Sequence, residues 1–267
     1  MEPDAETLWS LFGALITAYL AACGGWLLAH RVRSSWWPPR TALRTDRKWL
    51  DLVAVLVAAV LVLGLGQVWR SGWLLPSADG WLGVILWQCN NLIMYSPMVG
   101  LLVVRGQSTR TVYLSADGLP VKLAAGVVLG VLAVFVFLVL RGDPGRLPGV
   151  LVESVRTENL RNFLPVFLEG VAIAMMYVRM RWAFGQWPAL LGPGMVFAAA
   201  HIPRQIESGL GPPEMIAYFA VTAGITFFVL YTLERSRDVI WLGIVHYLMD
   251  VAIRAFSTTI GPVQSVG

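Results

Sequence analysis

The sequence predicts an all-α protein, a polytopic bundle of about eight transmembrane helices. Hydrophobic residues make up 57% of the 267 residues and charged residues only 13%, and the mean hydropathy is +0.67. A soluble domain is roughly a quarter charged, so this composition is typical of a chain that lies mostly in a bilayer. A helix that crosses the hydrocarbon core needs roughly 20 mostly apolar residues. Such stretches lie at 8–29, 49–69, 81–104, 122–140, 163–181, 187–202, 214–233 and 239–256.

The sixth of these stretches differs from the others because it is short and contains Gly192, Pro193 and Gly194. Glycine and proline break transmembrane helices where the freed backbone groups find other partners. We therefore expect this segment to be kinked or partly re-entrant.

Basic residues predict the orientation of the bundle. The N-terminal segment EPDAE has no positive charge, whereas the segment 31–48 is rich in basic residues: Arg31, Arg33, Arg40, Arg44, Arg47 and Lys48. The positive-inside rule then places the N-terminus outside and this segment in the cytoplasm. The net charge of +4 indicates contact with anionic lipid headgroups, and not nucleic acid, because no basic stripe alternates with base-stacking aromatic residues. We expect a multi-pass integral protein of a bacterial cytoplasmic membrane.

The chain divides into three parts within one integral domain. Residues 1–140 contain four predicted spans, residues 141–162 form a polar connection, and residues 163–256 contain the other four. Within the connection, VLVESVRTENL predicts a short interfacial helix. Earlier in the chain, Pro38 and Pro39 predict the end of the first helix.

Ionisable residues concentrate in the last four spans, which contain Glu169, His201, His246 and Asp250. A charged side chain in the middle of a membrane costs at least ~3 kcal/mol, so such residues usually face the interior of the bundle and have a partner or a function. Glu169 is a candidate general base or proton carrier. The structural alternative is a neutral Glu169 that is hydrogen-bonded between helices.

His246 and Asp250 stand in the segment HYLMD, four residues apart, which puts them on one face of a helix. This spacing suits a catalytic histidine whose tautomer a carboxylate fixes, or a metal ligand with its supporting carboxylate. It also suits a polar pair that holds helices together. Arg254 continues the same face, and neutralisation of Asp250 by Arg254 would favour that structural interpretation.

The order of these residues resembles the CAAX prenyl protease and bacteriocin-processing family of intramembrane endopeptidases, also called CPBP or Abi. The family pattern is EExxxR on one helix, FxxxH on the next, and HxxxN or HxxxD on a later one. In this sequence FAAAH ends at His201 and is followed by Ile-Pro, HYLMD starts at His246, and Glu169 precedes both motifs. The resemblance covers roughly residues 163–256.

The first motif is incomplete, because Gly170 stands at the second Glu position and Ala174 at the Arg position. Both members of a potential ion pair are missing, so their joint loss leaves no lone buried charge. Arg179 is no substitute, since ten residues of helix separate it from Glu169 by ~15 Å. The departure indicates either altered substrate handling or a protein that has lost proteolysis.

The resemblance implies an enzyme, an intramembrane peptide hydrolase without a cofactor. Glu169 and His201 would activate a water, and His246, with Asp250, would stabilise the oxyanion. The substrate would be a membrane-embedded or membrane-docked peptide. Zinc bound by His201, His246, Glu169 and Asp250 is an alternative, although HExxH is absent. Two further alternatives are a non-catalytic membrane scaffold or regulator and a proton- or metal-coupled transporter.

Overall fold

A computed structural model describes residues 5–32, 47–72, 74–76, 78–207 and 209–260, and these residues form helices and connections without a β-strand. This confirms the predicted all-α bundle. The helices are α1 Ala5–Val32, α2 Lys48–Arg70, α3 Gly80–Val104, α4 Leu119–Leu140, α5 Leu147–Ser154, α6 Thr157–Leu160, α7 Phe163–Phe184, α8 Gln186–Glu207, α9 Pro212–Ser236 and α10 Val239–Ile260. Short 3-10 turns occur at Thr109–Val112 and Pro144–Arg146.

All eight predicted spans are helical. Among the described residues, six helices are long and apolar enough to cross a membrane: Trp9–Val32, Lys48–Arg70, Leu119–Leu140, Thr157–Phe184, Pro212–Ser236 and Val239–Phe256. These are the features of a multi-pass integral membrane protein. The remaining two predicted spans, α3 and α8, stay predictions on hydropathy, but the path of the chain supports them.

Ion pairs between helix ends show that path. Arg105 Nε lies 2.9 Å from Asp51 Oδ1 and joins the end of α3 to the start of α2. Arg70 Nη1 lies 2.7 Å from Glu207 Oε1 and joins the end of α2 to the end of α8. Helices α2 and α4 run in the same direction, so α3 between them has to cross the bundle in the opposite direction. Its 25 residues span about 37 Å, which is long enough to do so. The same argument applies to α8 between α7 and α9.

The bundle therefore has two faces. The N-terminal face carries the start of α1 and the end of α4, which the Arg141 guanidinium joins through its hydrogen bond to Ser10 Oγ. Arg141 also lies 4.6 Å from the ring of Phe256 near the end of α10. The 141–162 connection belongs to this face. The opposite face carries the connection between α3 and α4, the turn at Gly185 and the turn between α9 and α10.

Helices α4 and α10 approach each other closely at two glycines, one turn apart. A Cβ added to Gly126 would lie 3.0 Å from the Cα of Trp241, and one added to Gly130 would lie 2.6 Å from Leu248 Cδ1. Small residues four apart let helix backbones meet in a membrane, where no hydrophobic effect drives helices together. These glycines place α10, which carries HYLMD, at the centre of the bundle.

One local prediction needs correction and another stays a prediction. Helix α8 runs through Gly192, Pro193 and Gly194, and the expected kink or re-entry there stays a prediction. Gly194 packs α8 against α9, where an added Cβ would lie 3.2 Å from Ala223 O. The 150–160 segment forms two short helices, α5 and α6, and the first docks on α10 because the Tyr247 hydroxyl donates to Ser154 O at 2.5 Å. The predicted helix end at Pro38 and Pro39 lies outside the described residues.

Candidate active site

Glu169 lies two turns into α7 from the N-terminal face, and its side chain is half-buried. Its charge is close enough to interact with Asp250 and Arg204. No other residue in the described part of the chain makes a hydrogen bond or an ion pair with its carboxylate. Within the described ranges, Glu169 thus has no interhelical hydrogen bond of the kind that its structural interpretation requires.

His201 lies near the end of α8, and the FxxxH spacing fixes its ring. Its Nδ1 is 2.8 Å from the carbonyl oxygen of Phe197, one helical turn earlier. Since a carbonyl oxygen only accepts, Nδ1 carries the proton, and the neutral ring keeps its lone pair on Nε2. The ring of Phe197 also packs edge-on at 4.5 Å from the imidazole centroid. Phe197 therefore sets both the tautomer and the orientation of His201.

His246 and Asp250 lie on the same face of α10, as their spacing predicts. His246 Nε2 is 3.6 Å from Asp250 Oδ1, which is an electrostatic pair but too long for a hydrogen bond. Arg254 lies one turn further on, and its charge interacts with that of Asp250. Among the described residues, no ion pair joins Arg254 to Asp250, and the buried Nε and Nη2 atoms of Arg254 have no hydrogen-bond partner.

The four residues lie on three helices that pack together. Helix α7 packs against both α8 and α10. The charge of His201 interacts with those of His246 and Asp250, and the charge of Glu169 interacts with that of Asp250. Glu169 and His201 make no direct hydrogen bond in the described structure. Among the described residues, no group of three His, Cys, Asp or Glu side chains is close enough to hold a metal ion.

Sequence reasoning missed Tyr19, which comes from α1 in the first half of the chain. Its ring lies edge-on to the imidazole of His246, with centroids 6.5 Å apart. Its hydroxyl is also within electrostatic range of Asp250 and Glu169. In the sequence, Tyr19 is one tyrosine in the middle of an apolar span. Such residues are too common to indicate a functional site. Helix α1 therefore lines the candidate site together with α7, α8 and α10.

The two missing positions of the first motif have different environments. A Cβ added to Gly170 would meet nothing within 4 Å, so space remains beside Glu169. Ala174 is fully buried, with 0% of its surface exposed. Arg179 does not fill that role: its Nη1 donates to Thr111 O at 2.7 Å and ties α7 to the connection between α3 and α4.

Residues 163–252 match the sequence model of the family described as Type II CAAX prenyl endopeptidase Rce1-like. We call this matched stretch, residues 163–252, the CAAX-protease-like segment. The match confirms the predicted resemblance, and it begins at the first residue of α7 and contains all four candidate site residues. No curated protein and no solved structure matches the chain. Tyr19 lies outside the CAAX-protease-like segment and still contacts His246.

Proposed function

We propose that this protein is an intramembrane endopeptidase that hydrolyses a peptide bond of a membrane-embedded or membrane-docked substrate with a Glu/His-activated water. The observation that carries the proposal is the cluster of Glu169, His201, His246 and Asp250 inside the CAAX-protease-like segment. These side chains belong to three different helices of a bundle that is otherwise strongly apolar.

The chemistry needs a base, and His201 and Glu169 are suited to that role. The free lone pair on His201 Nε2 and the carboxylate of Glu169 can both accept a proton from a water. As a proton leaves the water, its oxygen attacks the carbonyl carbon of the peptide and forms a tetrahedral intermediate. The proton then passes to the amine when the C–N bond breaks, so the base returns to its starting state.

The developing oxyanion needs a donor, and His246 supplies one. Asp250 lies beside the imidazole, with Oδ1 3.6 Å from His246 Nε2, and a neutral imidazole already carries one N–H donor. Hydrogen bonds aimed at a developing negative charge are worth about 100- to 1,000-fold in rate. The edge of the Tyr19 ring limits the positions that the His246 ring can take.

The proposal is tested with purified protein in detergent or liposomes and a set of membrane peptides, with cleavage followed by mass spectrometry. We expect Glu169→Gln and His201→Ala to reduce the rate by about 100- to 10,000-fold, because each removes an acceptor for the proton of the water. Glu158→Gln is a matched control at an exposed glutamate of α6 on the same face. His30→Ala is the matched control for His201→Ala, at a histidine in the last turn of α1 on the opposite face.

The results separate the alternatives. Cleavage by the wild type that survives both Glu169→Gln and His201→Ala would overturn the proposed site. The incomplete EExxxR motif favours a scaffold as second candidate, and tight binding of a peptide without any cleavage would support it. Proton-coupled flux in liposomes that depends on Glu169 would support the transporter instead.

A further inference from the structure

A small cavity lies on the face of the bundle opposite the candidate active site. It is located where the ends of α7 and α9 meet the connection between α3 and α4, and its volume is about 80 Å³. This volume corresponds to roughly two or three water molecules at about 30 Å³ each, and a phosphate group is of similar size. Six residues line the cavity: Tyr113, Val178, Arg181, Trp182, Glu234 and Arg237. We call it the Tyr113 cavity.

Two residues of the cavity lining have an unusual backbone conformation. Tyr113 follows the 3-10 turn Thr109–Val112 with a φ of 58°, and Arg237 follows α9 with a φ of 49°. Among the described residues other than glycine, no others have a positive φ. Glycine is the usual residue in this left-handed region, because a bulky side chain is strained there. Strained residues of this kind cluster at functional sites, including those that hold ligands.

Buried polar contacts hold the two strained turns together. The backbone N–H of Val239, two residues after Arg237, donates to Tyr113 O at 3.0 Å. At the same junction, Lys122 Nζ lies 3.5 Å from Asp238 Oδ1, and both side chains are fully buried. The two turns cannot separate without breaking these contacts, so the Tyr113 cavity is formed before any ligand arrives.

The charges that line the Tyr113 cavity do not cancel. Its described lining contains two arginines and one acid, Glu234. The protein binds both oxygens of that acid: Arg181 Nη2 lies 2.7 Å from Oε1, and Gln186 Nε2 donates to Oε2 at 3.0 Å. Glu234 therefore balances one of the two guanidinium groups, and the lining keeps one net positive charge.

Tyr113 adds a hydroxyl group to this lining. Within the described part of the chain, this hydroxyl makes no hydrogen bond. Tyr113 is only 7% exposed, so the cavity is where its hydroxyl can meet a partner, and buried polar groups rarely lack one. A hydroxyl can donate and a guanidinium can only donate. The ligand that suits the cavity is therefore a negatively charged acceptor.

The location of the cavity indicates which anion it meets. The ends of α7 and α9 lie at the surface of the membrane, where half-buried Trp182 and exposed Phe184 are typical of the aromatic belt at headgroup level. Phosphate groups are abundant at this level, and basic pockets between transmembrane helices bind phosphate-bearing headgroups. The planar fork of a guanidinium also matches two oxygens of a phosphate group.

We propose that the Tyr113 cavity binds a phosphate group, which belongs either to a phospholipid headgroup or to a soluble phosphate ester. Arg237 supplies the charge that balances the phosphate, and the Tyr113 hydroxyl donates to one of the phosphate oxygens. The site lies at the other end of the bundle from Glu169 and the histidines, so this inference does not depend on the proposed function.

The test measures binding to the purified, delipidated protein in a maltoside detergent, which contains no phosphate. Native mass spectrometry compares phosphatidylglycerol with a diacylglycerol that has the same acyl chains, and titration calorimetry compares glycerol 3-phosphate with glycerol. We expect the phosphate-bearing member of at least one pair to bind about 10- to 100-fold more tightly, as one charge-assisted contact provides. Preference in the first pair alone assigns the site to a lipid, and tight binding of glycerol 3-phosphate assigns it to a soluble ester.

Variants then locate the binding. Arg237→Gln should weaken the phosphate-bearing ligand by about 10- to 100-fold, and Tyr113→Phe, which keeps the ring, should weaken it by about 10-fold. Arg235→Gln is the matched control for arginine, because the Arg235 guanidinium lies 3.5 Å from the ring of Tyr231 and does not line the cavity. Tyr231→Phe is the matched control for tyrosine. Both controls should bind as the wild type does.

Three results would each overturn the inference. They are equal binding of the two members in both ligand pairs, a preference for phosphate that survives both Arg237→Gln and Tyr113→Phe, and an equal loss in Arg235→Gln, which would show attraction to the surface alone. Thermal unfolding without lipid verifies that each variant is folded. If Arg237→Gln does not fold, Tyr113→Phe decides the question, since it removes only the hydroxyl.

Discussion

Lys122 and Asp238 form a buried ion pair at the opposite end of the bundle from the candidate site. Lys122 Nζ lies 3.5 Å from Asp238 Oδ1, and both side chains are fully buried. Lys122 also donates to Ser115 O at 2.7 Å, and Asp238 Oδ1 accepts from the backbone N–H of Ile240 at 3.1 Å. The pair thus joins the start of α4 to the turn between α9 and α10. Loss of one partner of such a pair typically costs about 3–5 kcal/mol.

The buried carboxyl group of Asp238 in this turn predicts that the stability of the protein depends on pH. Burial raises the pKa of Asp238 from its ordinary value of 3.8 to about 6, although Lys122 and the hydrogen bonds act to lower it. The native state therefore binds this proton more tightly than the unfolded state does. The contribution of Asp238 to stability is complete below pH 3.8 and is lost as the pH rises through about 6, by about 3 kcal/mol at most.

We expect the melting temperature of the wild type in detergent to fall between about pH 4 and pH 6.5 relative to that of Asp238→Asn, which lacks this group. Asp117→Asn changes an exposed carboxylate in the preceding connection and should keep the slope of the wild type. Parallel curves for the wild type and Asp238→Asn would show that Asp238 does not bind a proton in this range.

The sequence could predict the residue pairs that are close along one helix, but not those that tertiary packing creates. His246 and Asp250 are one turn apart, so their shared face followed from helix geometry alone. The same geometry explains why FxxxH brings Phe197 O to His201. Lys122 and Asp238 are far apart in the chain, and neither stood out as a candidate before the structure brought them together.

At the level of helices, the contact of α4 with α10 depends on the absence of side chains at two positions. Gly126→Ala would put its Cβ 3.0 Å from the Cα of Trp241 and 2.7 Å from Ile244 Cδ1. The backbone of α10 cannot move aside without disturbing the helix that carries HYLMD. We expect Gly126→Ala to lower the free energy of unfolding by about 1–3 kcal/mol.

Gly170→Ala provides the matched comparison, since the same substitution in α7 meets nothing within 4 Å. Alanine is favoured over glycine inside a helix by about 1 kcal/mol, so this variant should be as stable as the wild type or more so. Reversible unfolding in mixed detergent measures both variants. Equal effects of the two substitutions would contradict the proposed role of the α4–α10 approach.

Hydropathy was sufficient to locate the helices but not to say how they pack. The eight apolar stretches correspond to helices because span length follows from membrane thickness. The Gly-Pro-Gly segment of α8 was ambiguous in the sequence because glycine has two uses in a membrane: it breaks helices, and it lets them approach. Only the position of Gly194 against Ala223 O distinguishes these uses. Tyr19 was missed for a similar reason, because its neighbours come from helices distant in sequence.

For the molecule as a whole, the alternation of helices places the candidate site and the 141–162 connection on one face and the 105–118 connection on the other. Helix α2 starts on the opposite face. In the sequence, the basic residues of the 31–48 segment come directly before its first turn. The positive-inside rule then predicts that the candidate site is nearer the outer surface of the membrane.

Cysteine labelling tests this orientation. Glu158→Cys introduces a thiol on the N-terminal face, and Asp117→Cys introduces one on the opposite face. In intact cells, a membrane-impermeant maleimide should label Glu158→Cys strongly and Asp117→Cys only after permeabilisation. The unmodified protein controls for Cys23, which is buried, and Cys89, which is half-buried. The reverse pattern would place the candidate site nearer the cytoplasmic surface.

The contact of Tyr19 with His246 means that the recognisable core is not a transferable module. A recombination event that moved residues 163–252 alone into another gene would carry every motif residue but leave behind the helix that places Tyr19 beside His246. The recipient would carry the sequence signature without this contact. Similarity to the family at residues 163–252 therefore covers only part of the packing around His246, and α1 supplies another part.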